Sequence, residues 1–178
     1  LSDIPLQARI ALKRLTHIDP KMRYVSAVQA ADDITDAFKT QKFAINGKLF
    51  ISYSSDNKEV VHQLSDRLED FGIKIWIDKK IRESSDWDNS IENALDSCDF
   101  MLVYVTEESV ASSYVTHEWS YFMGRKKPVF PFLPDGHLPE NMNVRLNRKQ
   151  WISGAKSDVL HNIAKIINAI QKWQSENR

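Results

Sequence analysis

The sequence predicts an α/β protein built on a doubly wound parallel sheet, with a helical hairpin ahead of it. Three observations carry this prediction. From Lys48 onward, short apolar runs alternate with segments whose apolar residues recur at helical spacing. One run, FMLVYV at 100–105, is apolar almost throughout, as a central parallel strand covered on both faces requires. Before Lys48 no strand pattern occurs at all.

The elements follow in order. Ile4, Ala8, Ala11, Leu12 and Leu15 recur at helical spacing until HIDP at 17–20 interrupts them. Asp19 reads as an N-cap with Pro20 at the first helical position, opening a second helix. That helix should turn Tyr24, Val25, Val28, Ala31, Ile34 and Phe38 inward. One hairpin buries too little to be stable alone, so residues 1–46 form a helical extension that must pack on something else. LFISY at 49–53 is then a strand ending in a turn, followed by a helix with Val60, Val61, Leu64, Leu68 and Phe71 on one face. Gly72 stands where a helix wants a C′ glycine. IKIWI at 73–77 is the second strand, and Ser85 with Asp86 should cap a helix bearing Trp87, Ile91, Ala94 and Leu95. After the central strand come a helix over roughly 114–124, a strand at 128–132, a short edge strand at 150–152 and a last helix from Val159 to Trp173. Ligands of such sheets bind beyond the C-terminal ends of the strands, which singles out residues 53–56, 78–87 and 106–118.

Composition narrows the chemistry. The 178 residues carry 24 basic and 24 acidic side chains, which argues against an extended grip on nucleic acid or on an anionic membrane. The single cysteine, Cys98, can form neither an internal disulfide nor a thiolate zinc site, and it reads as a small buried thiol. No apolar run nears the ~18–20 residues that span a bilayer, and the N-terminus has no signal-peptide pattern. The expected setting is cytoplasmic. The chain starts at Leu1, and a further sensor or effector domain is expected beyond one of its ends. Only five glycines occur, and no glycine-rich phosphate cradle, no nucleophile elbow and no metal-spaced histidines are present.

What remains is a set of phrases in a fixed order: FISYSSD at 50–56, IWID at 75–78, WDNSIENALDSC at 87–98 and EESVASSYVTHE at 107–118. With these phrases, residues 47–178 resemble a TIR (Toll/interleukin-1 receptor homology) domain, the match running over about 47–173. The resemblance implies a flavodoxin-like sheet of about five strands. Many bacterial and plant TIR domains, and one animal axon-degeneration protein, hydrolyse or cyclise NAD+. They depend on a glutamate that often ends a W-x-x-x-E phrase. Here the phrase is YVTHE, so Glu118 takes the place of that glutamate and Tyr114 the place of the tryptophan. The resemblance to the bacterial NAD+-hydrolase type thus implies an NAD+ nucleosidase that releases nicotinamide and ADP-ribose or a cyclic isomer. It further implies activation by TIR self-association, in anti-phage or innate-immune signalling, with NAD+ as substrate and no permanently bound cofactor or metal. The alternative is a non-catalytic adaptor acting through homotypic contacts.

A lone carboxylate suffices for that chemistry. Nicotinamide leaves a cationic pyridinium as a neutral molecule, so no acid need protonate it. A carboxylate beside the ribose stabilises the oxocarbenium-like charge that develops. The competing reading of Glu118 is a helix-surface acid favouring the positive N-terminal turn. Phe50 and Tyr53 are candidates to touch a ring of the substrate, Phe50 being equally a core residue. Ser52, Ser54 and Ser55 offer groups to phosphate or simply make a turn. Asp78 either faces the site or pairs with Lys79, Lys80 or Arg82. Trp87 either packs or contacts substrate. Ser84 stands where relatives commonly have glycine, which points to a different loop shape at 79–86. Arg125, Lys126 and Lys127 read as a solvated helix end that complements its own dipole.

Overall fold

The computed structural model describes Leu12 and residues 14–40, 45–77, 87–155 and 159–177, without the side chains at 22, 36–40, 87–90 and 160. The chain divides into two compact units, Leu1–Phe43 with Asp70–Gly72, and Ala44–Glu69 with Ile73–Arg178.

In the first unit Asp19 does act as a cap, but of a single 3₁₀ turn, Pro20–Met22, where its carboxylate accepts from the Lys21 N–H. Arg23 is extended, and the helix α1 begins only at Ala27 and runs Ala27–Thr40. The expected inward face holds only in part: Tyr24 and Ile34 are half-buried, but Val25 is 95% exposed, and Val28 and Ala31 are also on the surface. The physical reason is the loop at 23–26, which breaks the continuity that the spacing argument assumed.

The second unit is the predicted parallel sheet. Its elements are β1 (Lys48–Ser52), a 3₁₀ turn (Ser55–Asn57), α2 (Lys58–Asp70), β2 (Lys74–Trp76), α3 (Trp87–Ser97) and β3 (Phe100–Tyr104). Then follow α4 (Glu107–Ala111), α5 (Ser113–Gly124), β4 (Val129–Leu133), α6 (Val144–Asn147), β5 (Ile152–Ser153) and α7 (Val159–Glu176). The order β2-β1-β3-β4-β5 is parallel throughout, so the chain reverses direction across the sheet between β1 and β3. Every residue of β3 is buried, as its apolar run demands.

Alternation along the strands sorts the core into two layers. Phe50, Met101 and Val103 join Leu95, Val115, Trp119 and Phe122 on the face covered by α3 and α5. On the other side Phe100 meets Trp173 of α7 edge-on, at 5.7 Å. Gly72 has φ +81°, and the Ile73 N–H reaches back to the Leu68 carbonyl, which closes α2 as the glycine suggested. The helix expected after β3 is two helices. Ser112 ends α4 and also caps α5, where its hydroxyl accepts from the Val115 N–H. The Arg125–Lys127 segment also differs from expectation. Lys127 Nζ donates to the carbonyls of Leu95, Asp96 and Cys98, so it caps the end of α3 and not its own helix. Among the described residues no helix is long and apolar enough to cross a membrane.

Candidate functional site

The buried stripe of α5 is Val115, Glu118, Trp119 and Phe122, a helical i, i+3, i+4, i+7 face. Three of the four are core residues by composition. The fourth is a carboxylate, only 5% exposed. It lies beside the C-terminal end of β1, where Ser52 shares a face of the sheet with Val103. The Ser52 hydroxyl donates to Glu118 Oε2 at 2.5 Å, a short charge-assisted bond between two side chains buried far from each other in sequence. Burying an ionised carboxylate is costly unless it is hydrogen-bonded, so this serine helps to hold the charge at the strand end. Glu118 is the sixth residue of α5, beyond its first turn, and that turn carries no acidic residue. The helix-dipole explanation of Glu118 therefore fails on position.

Tyr114 lies one turn nearer the start of α5 on the same side and is 46% exposed, in contrast to the buried carboxylate. Tyr53 points the other way from Ser52, is buried, and its hydroxyl meets His62 Nε2 of α2 at 3.2 Å. Phe50 is stacked on Trp76 at 4.6 Å with 15° between the ring planes and is fully buried. Its role here is packing, and its ring has no exposed face for a ligand to meet. Ser54 donates to Asp56 at 3.4 Å, and Ser55 begins the 3₁₀ turn, so both read as turn chemistry. Trp87 opens α3, with its side chain outside the described residues. Asp78 and the loop that includes Ser84 lie outside them too.

Two loops that sequence spacing did not connect are joined at this end of the sheet. Thr106 Oγ1, after β3, donates to Asn57 Oδ1, after β1, at 2.9 Å. Thr106 also forms a capping box with Ser109 at the start of α4. That box was readable from T-x-x-S, but nothing in the sequence pairs residues 49 apart as Asn57 and Thr106 are. No cluster of potential metal ligands occurs among the described residues.

A parallel sheet in the order 2-1-3-4-5 defines a doubly wound domain, and the buried Glu118 carboxylate lies near the β1/β3 switch point, where a candidate site is expected. The family model described as "TIR domain" matches residues 49–167, and the chain belongs to the TIR domain family. Among solved structures it is similar to the TIR domain of the Toll-related receptor TRR-2 from Hydra magnipapillata. The two share 18% identity at a TM-score of 0.54, with 69% of this chain and 97% of that one covered. At that identity the likeness speaks for the fold. No curated protein matches the sequence.

Proposed function

We propose that this TIR domain cleaves the nicotinamide–ribose bond of NAD+, giving nicotinamide and ADP-ribose or a cyclic isomer. The observation that carries the proposal is the buried Glu118 carboxylate, gripped by Ser52 at the C-terminal edge of β1. A carboxylate fixed in low-dielectric surroundings favours a neighbouring cation far more than one in water, and the charge that develops on the ribose as nicotinamide leaves is such a cation. Ser52 orients the acceptor, and Tyr114 supplies an aromatic face one helical turn away. Resemblance adds that activity follows TIR self-association in anti-phage or innate-immune signalling, so the enzyme should be tested concentrated. Nicotinamide release at high protein concentration should be present in the native chain and fall at least ~100-fold in Glu118→Gln, as expected when a transition-state charge partner is removed. Undiminished release by that variant would sink the proposal.

One observation favours a second reading, that of a non-catalytic adaptor. At 5% exposure Glu118 is closed to substrate as it stands, and its bond to Ser52 already satisfies one carboxylate oxygen. On that reading concentrated protein is inert and a second TIR domain binds it. The same assay, paired with a binding measurement, separates the two.

A further inference from the structure

At the end of the sheet away from Glu118, β5 covers only part of β4. Ile152 and Ser153 pair with Phe132 and Leu133, so the first half of β4 has no strand on its outer side among the described residues. The space left there is a cleft of about 220 Å³. Phe130, Trp151 and Trp173 line it, together with Lys149, Lys172 and Glu176. Trp173 is fixed by its edge contact with Phe100, so one indole is pre-positioned. Trp151 is 39% exposed although it forms part of the wall, an indole surface that the fold leaves unused. Lys172 and Glu176 stand 4.0 Å apart and both are more than half exposed, a weak pairing. One carboxylate against two ammonium groups leaves the cleft cationic.

We infer that this cleft is a binding site for a small planar aromatic anion. Indole faces reward a flat ring, and ammonium groups beside them reward a carboxylate or similar group on that ring. The volume lies below the roughly 300–1,000 Å³ of pockets that hold drug-sized ligands, so one or two fused rings with a single charged substituent fit it. The site shares no residue with Glu118 or Ser52 and does not depend on the proposed reaction.

The test is a titration of the ¹⁵N-labelled full chain with quinoline-2-carboxylate, and with neutral quinoline as control, followed on the indole N–H signals of its five tryptophans. The expected result is saturable shifts confined to Trp151 and Trp173, with the carboxylate bound more tightly than quinoline. Trp151→Ala should weaken binding ~10-fold or more, as loss of a stacking aromatic does. Lys149→Gln, a change at an exposed side chain that should leave the fold intact, should erase the preference for the anion. Glu118→Gln should bind as the native chain does. Shifts that fail to saturate or that spread over all five indoles would overturn the inference, as would equal binding of both probes. So would a Trp151→Ala variant that loses only a concentration-dependent self-association, since the cleft would then be a protein interface.

Discussion

The Ser52–Glu118 pair sets the site's electrostatics one side chain at a time. Replacing Ser52 by Ala removes one hydrogen-bond donor from a buried carboxylate, which costs about 1–3 kcal/mol. We expect Ser52→Ala to lower the urea midpoint by a corresponding amount, whereas Ser52→Thr, which keeps the hydroxyl donor, should lower it less. Chemical denaturation of the two variants side by side checks this. Cys98 offers a second test at the same scale. It is fully buried, and burial pushes its thiol pKa up, against a smaller lowering influence of Lys48. It should resist a thiol-reactive reagent in the native protein and label at once in urea. Lys126 is the one non-glycine residue with positive φ among those described, at 58°. Its N–H and that of Lys127 close α5 onto the carbonyls of Met123 and Phe122, an arrangement that favours glycine at this position. Lys126→Gly should therefore stabilise the protein by about 0.5–1 kcal/mol in the same assay.

Between elements, the clearest dependence is that of α3 on a residue 30 positions away in the chain. The last carbonyls of α3 have no partners within their own helix, and Lys127 Nζ takes three carbonyls at or just past that end, at 2.7–3.0 Å. Lys127→Met keeps an unbranched side chain but loses the three donors and the ammonium 5.1 Å from the Phe122 ring centre, so it should cost about 2 kcal/mol, read as a lower thermal midpoint. The contrast with what the sequence offered is instructive. Lys127 was legible as a basic residue at a helix end, but which helix it served depends on a tertiary register that no spacing encodes. Strands β1 and β3, helix α7 and the Gly72 stop were legible, because each is written in local periodicity or in the conformational freedom of one residue. The break at Ser112 was legible in principle, since S-x-x-V before an apolar stripe is a capping signal, yet the continuous helical pattern hid it. Val25 and Val28 show the opposite failure, where periodicity was extended across an extended residue, Arg23. At the site, YVTHE placed Glu118 on the right helix and FISYSSD placed Ser52 on the right strand. Their meeting, 66 residues apart, is a property of the sheet order alone.

For the whole molecule, the division into two units implies unequal dependence. The second unit contains the complete five-stranded sheet, both core layers and the Ser52–Glu118 pair. The Hydra TIR domain, 97% covered in its comparison with this chain, shares the fold of this unit. Among the described residues the first unit supplies helical residues at 12 and 14–15, a 3₁₀ turn and the 14-residue α1, and a pair of helices buries little core of its own. A fragment comprising residues 45–178 should therefore fold unaided. It should show the circular dichroism of an α/β protein and one cooperative urea transition, with a slope of about 1–3 kcal/mol per molar. The complementary fragment, residues 1–44, should show only weak helicity that fades with heating and no cooperative transition. If instead the longer fragment unfolds without cooperativity, the helical extension is part of the sheet domain's core and the boundary near Gly47 is misplaced. A nicotinamide-release assay on that fragment then asks the remaining question at this scale: activity equal to that of the full chain would confine the proposed chemistry to the sheet domain, and activity lost with the fold intact would assign the extension to assembly.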